Sequence, residues 1–464
     1  VNATAPPPYT ATLARFAVGA AQCEFPARAR AMAVDAITDC VGCILAGTGE
    51  KLVGPLLEVV AENPAAPAAM LGLGRRAAPP DAALVNGTLA HALDYDDTNH
   101  PGYAHPTAAI LPALLAAASL RPTATGRDVV AGYIAGIEVV GKLGAALNTA
   151  HYKRGWHATS TFGSIAAAVA AASMLGLDEE RSAVAIAVAG SSASGLRANF
   201  GTMTKPLHAG LAARNGVLAA LLAQAGWTAN PTALEHGAGY VAAFNGDAEV
   251  RGAPLSRWGE QLEILSEYGL ALKPYPSCGA THPGIEAALL LRPEIGATPI
   301  RRVRLGVSEM AFRPLIYVDA TTGLEGKFSL HYCIAAALVH GELGLASFLD
   351  ERVGDTRVKA LMARTTMEAD DRVRHDPEFA TVVALELEDG RILEKLVPLA
   401  MGKPSRWFDE ARLRSKLGDC IRHAAPATPD ASVDRLFAAL QGLDSAKPVS
   451  GLLSLLEPRL APAA

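Results

Sequence analysis

The chain has 464 residues, half of them hydrophobic, with 19% charged, 5% aromatic and a formal net charge of −5. Such a length calls for two or perhaps three domains, and the mild acidity gives no basic footprint for a nucleic acid, so no nucleic-acid partner is expected. Six cysteines in so long a chain do not make a disulfide framework, and with few aromatics the interior has to be built from Ala, Leu, Val and Ile, which suits closely packed helices.

The start, VNATAPPPYTATLARF, is polar and Pro-rich without the apolar core of a secretory signal, so a cytoplasmic location is expected. Cys40 and Cys43 form a C-x-x-C, but inside DAITDCVGCILAG, a helical apolar pattern with no second pair nearby. Small buried thiols on a core helix are expected there, not a metal or redox centre. From about residue 10 to 265 helix follows helix. In TATGRDVVAGYIAGIEVVGKLGAALN (123–148), Thr125 and Asp128 form a capping box ahead of apolar residues at helical spacing. Gly136 to Leu143 has the outline of a P-loop, yet it lacks the Ser/Thr that would hold magnesium and has no preceding strand. The most apolar run, SIAAAVAAASMLGL (164–177), reads as too short and too Ala/Ser-rich to cross a bilayer, which needs roughly 20 predominantly apolar residues. Asp178-Glu179-Glu180 opens a further helix.

The texture changes near KPYPSCGATHP (273–283). RRVRLGVS (301–308) alternates as a strand should, and TVVALELEDGRILEKLVPL (381–399) is two alternating runs joined by Asp389-Gly390, a hairpin signal. KFSLHYCIAAALVHG (327–341) and TRVKALMART (356–365) read as helices, and the pattern is helical again after GKPSRWFDEARLRSKL (402–417). The order predicts a mainly α protein: an all-helical domain over 1–266 and 403–464, with a smaller α/β lid domain inserted at 267–402. A cleft between two such domains is a common place for a small-molecule site.

Polar residues interrupt the helical block in three clusters. HALDYDDTNHPGYAHP (91–106) holds His91, Asp94, Asp96, Asp97, Thr98, His100 and His105. Such a density could bind a divalent cation, or it is a solvated turn after a helix; no tight H-x-x-x-H pair anchors an ion, and no metal is expected. HYKRGWHATSTFG (151–163) places Tyr152 and His157 where a loop enters an Ala-rich helix, suited either to binding or to a helix cap. GTMTKPLHAGLAARNG (201–216) opens a helix with a lysine, the wrong sign for the positive end of the helix dipole. Pro206 suits the first helical position, which makes Lys205 the expected N-cap residue. The dipole and burial among Ala and Gly would both disfavour its ammonium form and move it towards a general base. A lysine that merely snorkels to solvent is the alternative. With an anionic ligand bound, the same helix start would attract a carboxylate.

HALDYDD followed by HPTAAILPALLA, GWHATSTFGSIAAA, TKPLHAGLAARNG, KPYPSCGATHPGIEA and KFSLHYCIAAAL, in this order and spacing, resembles the MmgE/PrpD family over nearly the whole chain. The resemblance implies a large helical domain, an α/β lid inserted late in the chain, a homodimer, and chemistry on small di- or tricarboxylates without metal or cofactor. Activities in the family include 2-methylcitrate dehydratase, cis-aconitate decarboxylase and iminodisuccinate epimerase. By motif the implied site positions are Asp94, Thr98, His105, His157, Lys205, Lys273, Cys278 and Tyr317. Asn99 stands where the dehydratases have a tryptophan, and the segment before His-Pro is short. Cys278 stands where the decarboxylase has a histidine.

These departures leave an epimerase of the iminodisuccinate type as the first reading and a hydro-lyase or decarboxylase on a citrate-like acid as the second. A non-catalytic helical binding protein is the third. All the family's reactions build negative charge on a carboxylate-bearing carbon, and preorganised cations and donors have to absorb it. For epimerisation, Lys205 is expected as one base and Tyr152 as the other, with His157 orienting the substrate. Tyr152 is assigned from chemistry and from its closeness in sequence to His157, and its phenol would need Lys153, Arg154 or a site lysine to ease its ionisation.

Overall fold

Small residues let helix axes come close, and in this protein that closeness is carried to backbone contact. A Cβ on Gly87 would stand 2.8 Å from the Cα of Gly210, and a Cβ on Gly210 would stand 2.3 Å from the carbonyl oxygen of Leu84. Helices Pro79–His91 and Thr204–Gln224 therefore touch through glycine, which brings the end of the first towards the start of the second. The computed structural model describes residues 8–459, and it separates into two units, 1–272 with 409–464, and 273–408. Residues 1–7 and 460–464, the first of which hold part of the leader reading, lie outside the described residues.

The first unit is a stack of helices. Ala27–Gly47, Pro79–His91, Thr107–Ala118, Gly126–Leu147, Ala158–Leu175, Glu179–Ser192 and Thr204–Gln224 supply its interior, and the C-terminal helix Glu410–Ala424 packs on Ala27–Gly47. Thr125 and Asp128 make the expected capping box, each side chain accepting from the other's backbone N–H. Gly136, Gly141 and Lys142 lie within that same helix, so the P-loop outline has no loop to cradle a phosphate. Cys40 and Cys43 are buried free thiols. Gly126–Leu147 and Ala158–Leu175 are long and apolar enough to cross a membrane, which corrects the reading of 164–177 as too short. The helix gains turns on its N-terminal side, and 94% of each apolar window is buried inside the protein.

Two antiparallel ribbons accompany these helices: Ala68–Met70 with Arg75–Ala77, and Thr98–Asn99 with Leu270–Ala271. Strands of two or three residues are too short to leave an alternation pattern, and the all-helical expectation missed them. The second ribbon ties the polar turn after His91 to the end of the first unit's long N-terminal segment.

The second unit is α/β. Its four-stranded sheet runs Thr365–Ala369, Ile300–Val307, Thr381–Leu387, Ile392–Val397 in spatial order, the first pair parallel and the others antiparallel. Asp389-Gly390 turns the hairpin with Gly390 at φ 86°, a conformation that favours glycine. Helices His282–Ile295 and Leu330–His340 cover the sheet's apolar residues, and Ser329 caps the second by accepting from the Tyr332 N–H. The unit boundaries at 272/273 and 408/409 fall six residues later at each end than those read from composition.

Candidate active site

Helix Pro79–His91 ends at His91, and the chain then reverses through Asp94, a non-glycine residue at φ 55°. Aspartate tolerates the left-handed region better than most residues, and the turn presents three carboxylates in four positions. Asp97 turns inward. It accepts from the backbone N–H of Thr107 and from the Thr107 hydroxyl, so it serves the start of helix Thr107–Ala118. Burial pushes its carboxyl well above the usual range. Asp94 and Asp96 face a different set of partners.

Lys205 Nζ donates to Asp94 Oδ1 at 2.7 Å, each side chain about one-sixth exposed. His105 Nε2 is 3.7 Å from the same Asp94 oxygen, and its Nδ1 is 3.4 Å from Asp96 Oδ2. His91 Nδ1 donates to the Asp96 carboxylate at 2.9 Å. The His91 and His105 rings lie 4.3 Å apart, and His157 is 6.1 Å from His91. Burial lowers the His91 imidazole to about 4, against the pull of Asp96. His91 is thus a neutral donor, and it and His105 hold the Asp96 carboxyl below its usual range although burial opposes the charged form. Burial, helped by the neighbouring His91 and Lys205, pushes the His157 imidazole well down as well.

Two expectations for Lys205 change. The helix starts at Thr204 with Met203 as N-cap, because the Lys205 N–H closes a turn onto the Thr202 carbonyl at 3.1 Å and adds residues ahead of Pro206. The amine is also not surrounded by apolar neighbours alone: its Nζ lies 2.7 Å from Asp94 Oδ1 and 5.5 Å from the centre of the Phe200 ring. That geometry suits a cation that binds carboxylate and donates hydrogen bonds.

His157 is the N-cap residue of helix Ala158–Leu175, held by its N–H to the Gly195 carbonyl at 3.0 Å. Phe200 meets its ring edge-on at 4.9 Å, and His208 Nδ1 lies 2.9 Å from its Nδ1. Sequence reading missed Phe200 and His208 as site neighbours, and also Arg197, which stacks on the Tyr152 ring at 3.6 Å and donates to the Tyr152 carbonyl at 2.8 Å. A signal existed for His208 alone: it follows Lys205 by three positions and so shares its helix face. Tyr152, half-buried in the short helix Ala150–Lys153, has Arg197 and Tyr103 as ring neighbours. Thr98 sits in the ribbon beside Ala271.

The first unit thus gathers Asp94, His105, His157 and Lys205, and adds His91, Asp96 and His208. Lys273, Cys278 and Tyr317 belong to the second unit. There Lys273 is buried, Cys278 precedes the short turn of helix at Gly279–Thr281 with its N–H on the Lys327 carbonyl at 2.9 Å, and Tyr317 is exposed. A cavity of about 820 Å³ lined by Phe16, Phe25, Trp258 and Glu263 shares no residue with the cluster.

His91, Asp94, Asp96 and His105 each offer a ligand atom within 4.8 Å of the others, a spacing that could hold a cation. Asp94 already has the Lys205 ammonium and Asp96 the His91 N–H, so these carboxylates have cationic or proton-bearing partners from within the chain.

The fold is a large helical unit with an inserted α/β unit, the first carrying imidazole, amine and carboxylate groups close together. The MmgE/PrpD N-terminal domain matches residues 11–253 and the MmgE/PrpD C-terminal domain matches residues 275–441, and the chain belongs to this family. It is 29% identical over 397 residues to a cis-aconitate decarboxylase of Mus musculus, covering 82% of this chain and 79% of that protein. With the cis-aconitate decarboxylase of Homo sapiens it shares 31% over 306 residues, 63% of this chain and 62% of the relative. One from Aspergillus terreus is 26% identical over 480 residues, 96% and 95% of the two chains. These likenesses favour the lyase alternative over the epimerase reading.

Proposed function

We propose that this protein is a carbon–carbon lyase that decarboxylates cis-aconitate or a closely similar unsaturated tricarboxylate. The observation that carries the reading is the half-open Lys205–Asp94 ion pair ringed by His105, His91 and His157, taken with decarboxylase relatives that span up to 96% of the chain. In cis-aconitate one carboxylate sits on a methylene next to a carbon–carbon double bond. When that C–COO bond breaks, its electrons form a new double bond to the methylene carbon. The old π pair moves to the far alkene carbon, which takes one proton, and carbon dioxide leaves. Charge develops on the carboxylate attached to that far carbon, where a fixed ammonium and an imidazole N–H lower the barrier most.

In this reading Lys205 holds that carboxylate, His157 donates a hydrogen bond to the substrate, and His105, placed between Asp94 and Asp96, delivers the proton. Thr98, in the ribbon that follows the polar turn, is proposed to bind a further substrate group. The electrons released from the broken bond are absorbed by conjugation, so the scheme asks for no redox partner.

The test is incubation of the purified protein with cis-aconitate in deuterium oxide. Carbon dioxide equal to the substrate consumed, and one deuterium on the former far alkene carbon, now a methylene bearing a carboxylate, are expected. Deuterium entering the α-carbon of an imino- or amino-dicarboxylate with no gas released, and no turnover of unsaturated tricarboxylates, would restore the epimerase reading.

A further inference from the structure

His208 stands one turn beyond Lys205 on helix Thr204–Gln224 and is buried. Its Nδ1 lies 2.9 Å from the Nδ1 of His157. Two bare lone pairs at that distance repel, so one of these nitrogens carries the hydrogen and the other accepts it. Burial pushes both imidazoles down from their ordinary value, so near neutral pH the bond holds a single proton between two neutral rings. The direction of this bond then decides what His157 shows to a ligand. Its Nδ1 is taken, Nε2 is the ring nitrogen left, and a ring flip would break the contact with His208. An N–H at that place attracts a carboxylate, whereas a bare lone pair repels it.

We propose that His208 is a positioning residue that donates its Nδ1–H to His157 Nδ1, keeping the His157 proton on Nε2 so that His157 meets the substrate as a hydrogen-bond donor. The inference rests on His157 acting on an anionic substrate, as in the reading above. His208 itself touches no substrate in this arrangement. It does for His157 what an outer partner does for a metal-bound histidine, fixing tautomer and ring orientation through the nitrogen that does no chemistry.

Nitrogen-15 labelling of the histidines in the full-length protein reads the tautomers directly and needs no substrate. The expected spectrum has His157 protonated on Nε2 and His208 on Nδ1, with signals assigned from His157→Gln and His208→Asn. The opposite pair of tautomers overturns the proposal, even if every His208 variant misfolds. In kinetics with cis-aconitate, His208→Ala is expected to lower kcat by about 10–100-fold. His208→Asn, whose amide N–H falls near the lost Nδ1–H, recovers most of that activity, and His208→Asp, which only accepts, does not. An unchanged kcat in His208→Ala beside an inactive His157→Ala removes this inference alone. A fully active His157→Ala removes the role of His157 and this inference together.

Discussion

Two lysine–aspartate pairs in the first unit have almost the same length and opposite surroundings. Lys416 Nζ lies 2.6 Å from Asp39 Oδ1 with both side chains at most 2% exposed, while Lys205 Nζ lies 2.7 Å from Asp94 Oδ1 with 16% and 17% exposure. The Lys416 ammonium also donates to the Tyr95 carbonyl at 2.8 Å and sits 3.9 Å from the centre of the Tyr95 ring. Burial raises the Asp39 carboxyl to about 6, against the pull of Lys416. The pair joins helix Ala27–Gly47 to helix Glu410–Ala424. The Lys205 pair keeps water on one side and has imidazoles beside it. Ion-pair geometry therefore does not mark a site; what marks it is access combined with further titratable neighbours.

The largest expected effect separates the two pairs by function. Lys205→Met keeps the side-chain stem and removes the charge, and kcat/KM should fall by about 100–1,000-fold, the usual loss when one donor to a developing oxyanion is removed. Asp94 remains in reach of water, so the melting temperature should stay within about 2 °C. Carbon dioxide release and a thermal melt check both halves, and a variant that loses its fold together with its activity would erase the distinction. Lys416→Met should do the reverse. It leaves a carboxylate stranded in the interior at a cost of about 3–5 kcal/mol, read as a lowered urea midpoint, with kcat unchanged for the folded fraction. Adding Asp39→Leu should return much of that stability, since an apolar pair of similar volume has no charge to desolvate.

Neither pair was legible as a pair, although much around them was. The Asp389-Gly390 hairpin, the Thr125–Asp128 capping box and the alternating run at 301–308 are local patterns, and local patterns survive in sequence. The polar clusters at 91–106, 151–163 and 201–216 stood out because charge and imidazole are rare in helices built of alanine. Their contacts depend on the Gly87–Gly210 approach of two helices over a hundred residues apart, which spacing cannot reveal. Lys205 was misplaced for a local reason: Pro206 suits a first helical position, but the Thr202–Lys205 turn extends the helix ahead of it. Asp94 as the ammonium's partner and His208 as the partner of His157 are tertiary facts. Both change the chemistry read from the same residues.

The smallest effect sharpens the contrast through pH. A third buried cluster joins Glu138, Lys142 and Glu263: Lys142 Nζ is 3.6 Å from Glu138 and 3.7 Å from Glu263 and donates to the Gln261 carbonyl at 3.1 Å. Glu138 accepts the backbone N–H groups of Gly259 and Glu263, pinning the segment that leads into the Leu270–Ala271 strand. Burial, with Glu138 adding to it and Lys142 opposing it, raises the Glu263 carboxyl to about 7. In the unfolded chain a glutamate titrates near about 4.3. Between those two values the folded protein holds a proton that the unfolded chain has lost, so this group's stabilisation is complete at low pH and is lost as pH rises towards 7. His91, lowered to about 4, has the opposite sign: its contribution is present above about 6.5 and is lost as pH falls towards 4. Glu263→Gln keeps the shape and deletes the titration. Its melting temperature relative to the parent should therefore rise by about 1–3 °C between pH 5 and pH 8, with kcat on cis-aconitate unchanged. A difference that stays flat across that range would show that Glu263 is already ionised in the folded protein, and the interior cluster would then resemble the site more than the Asp39–Lys416 pair.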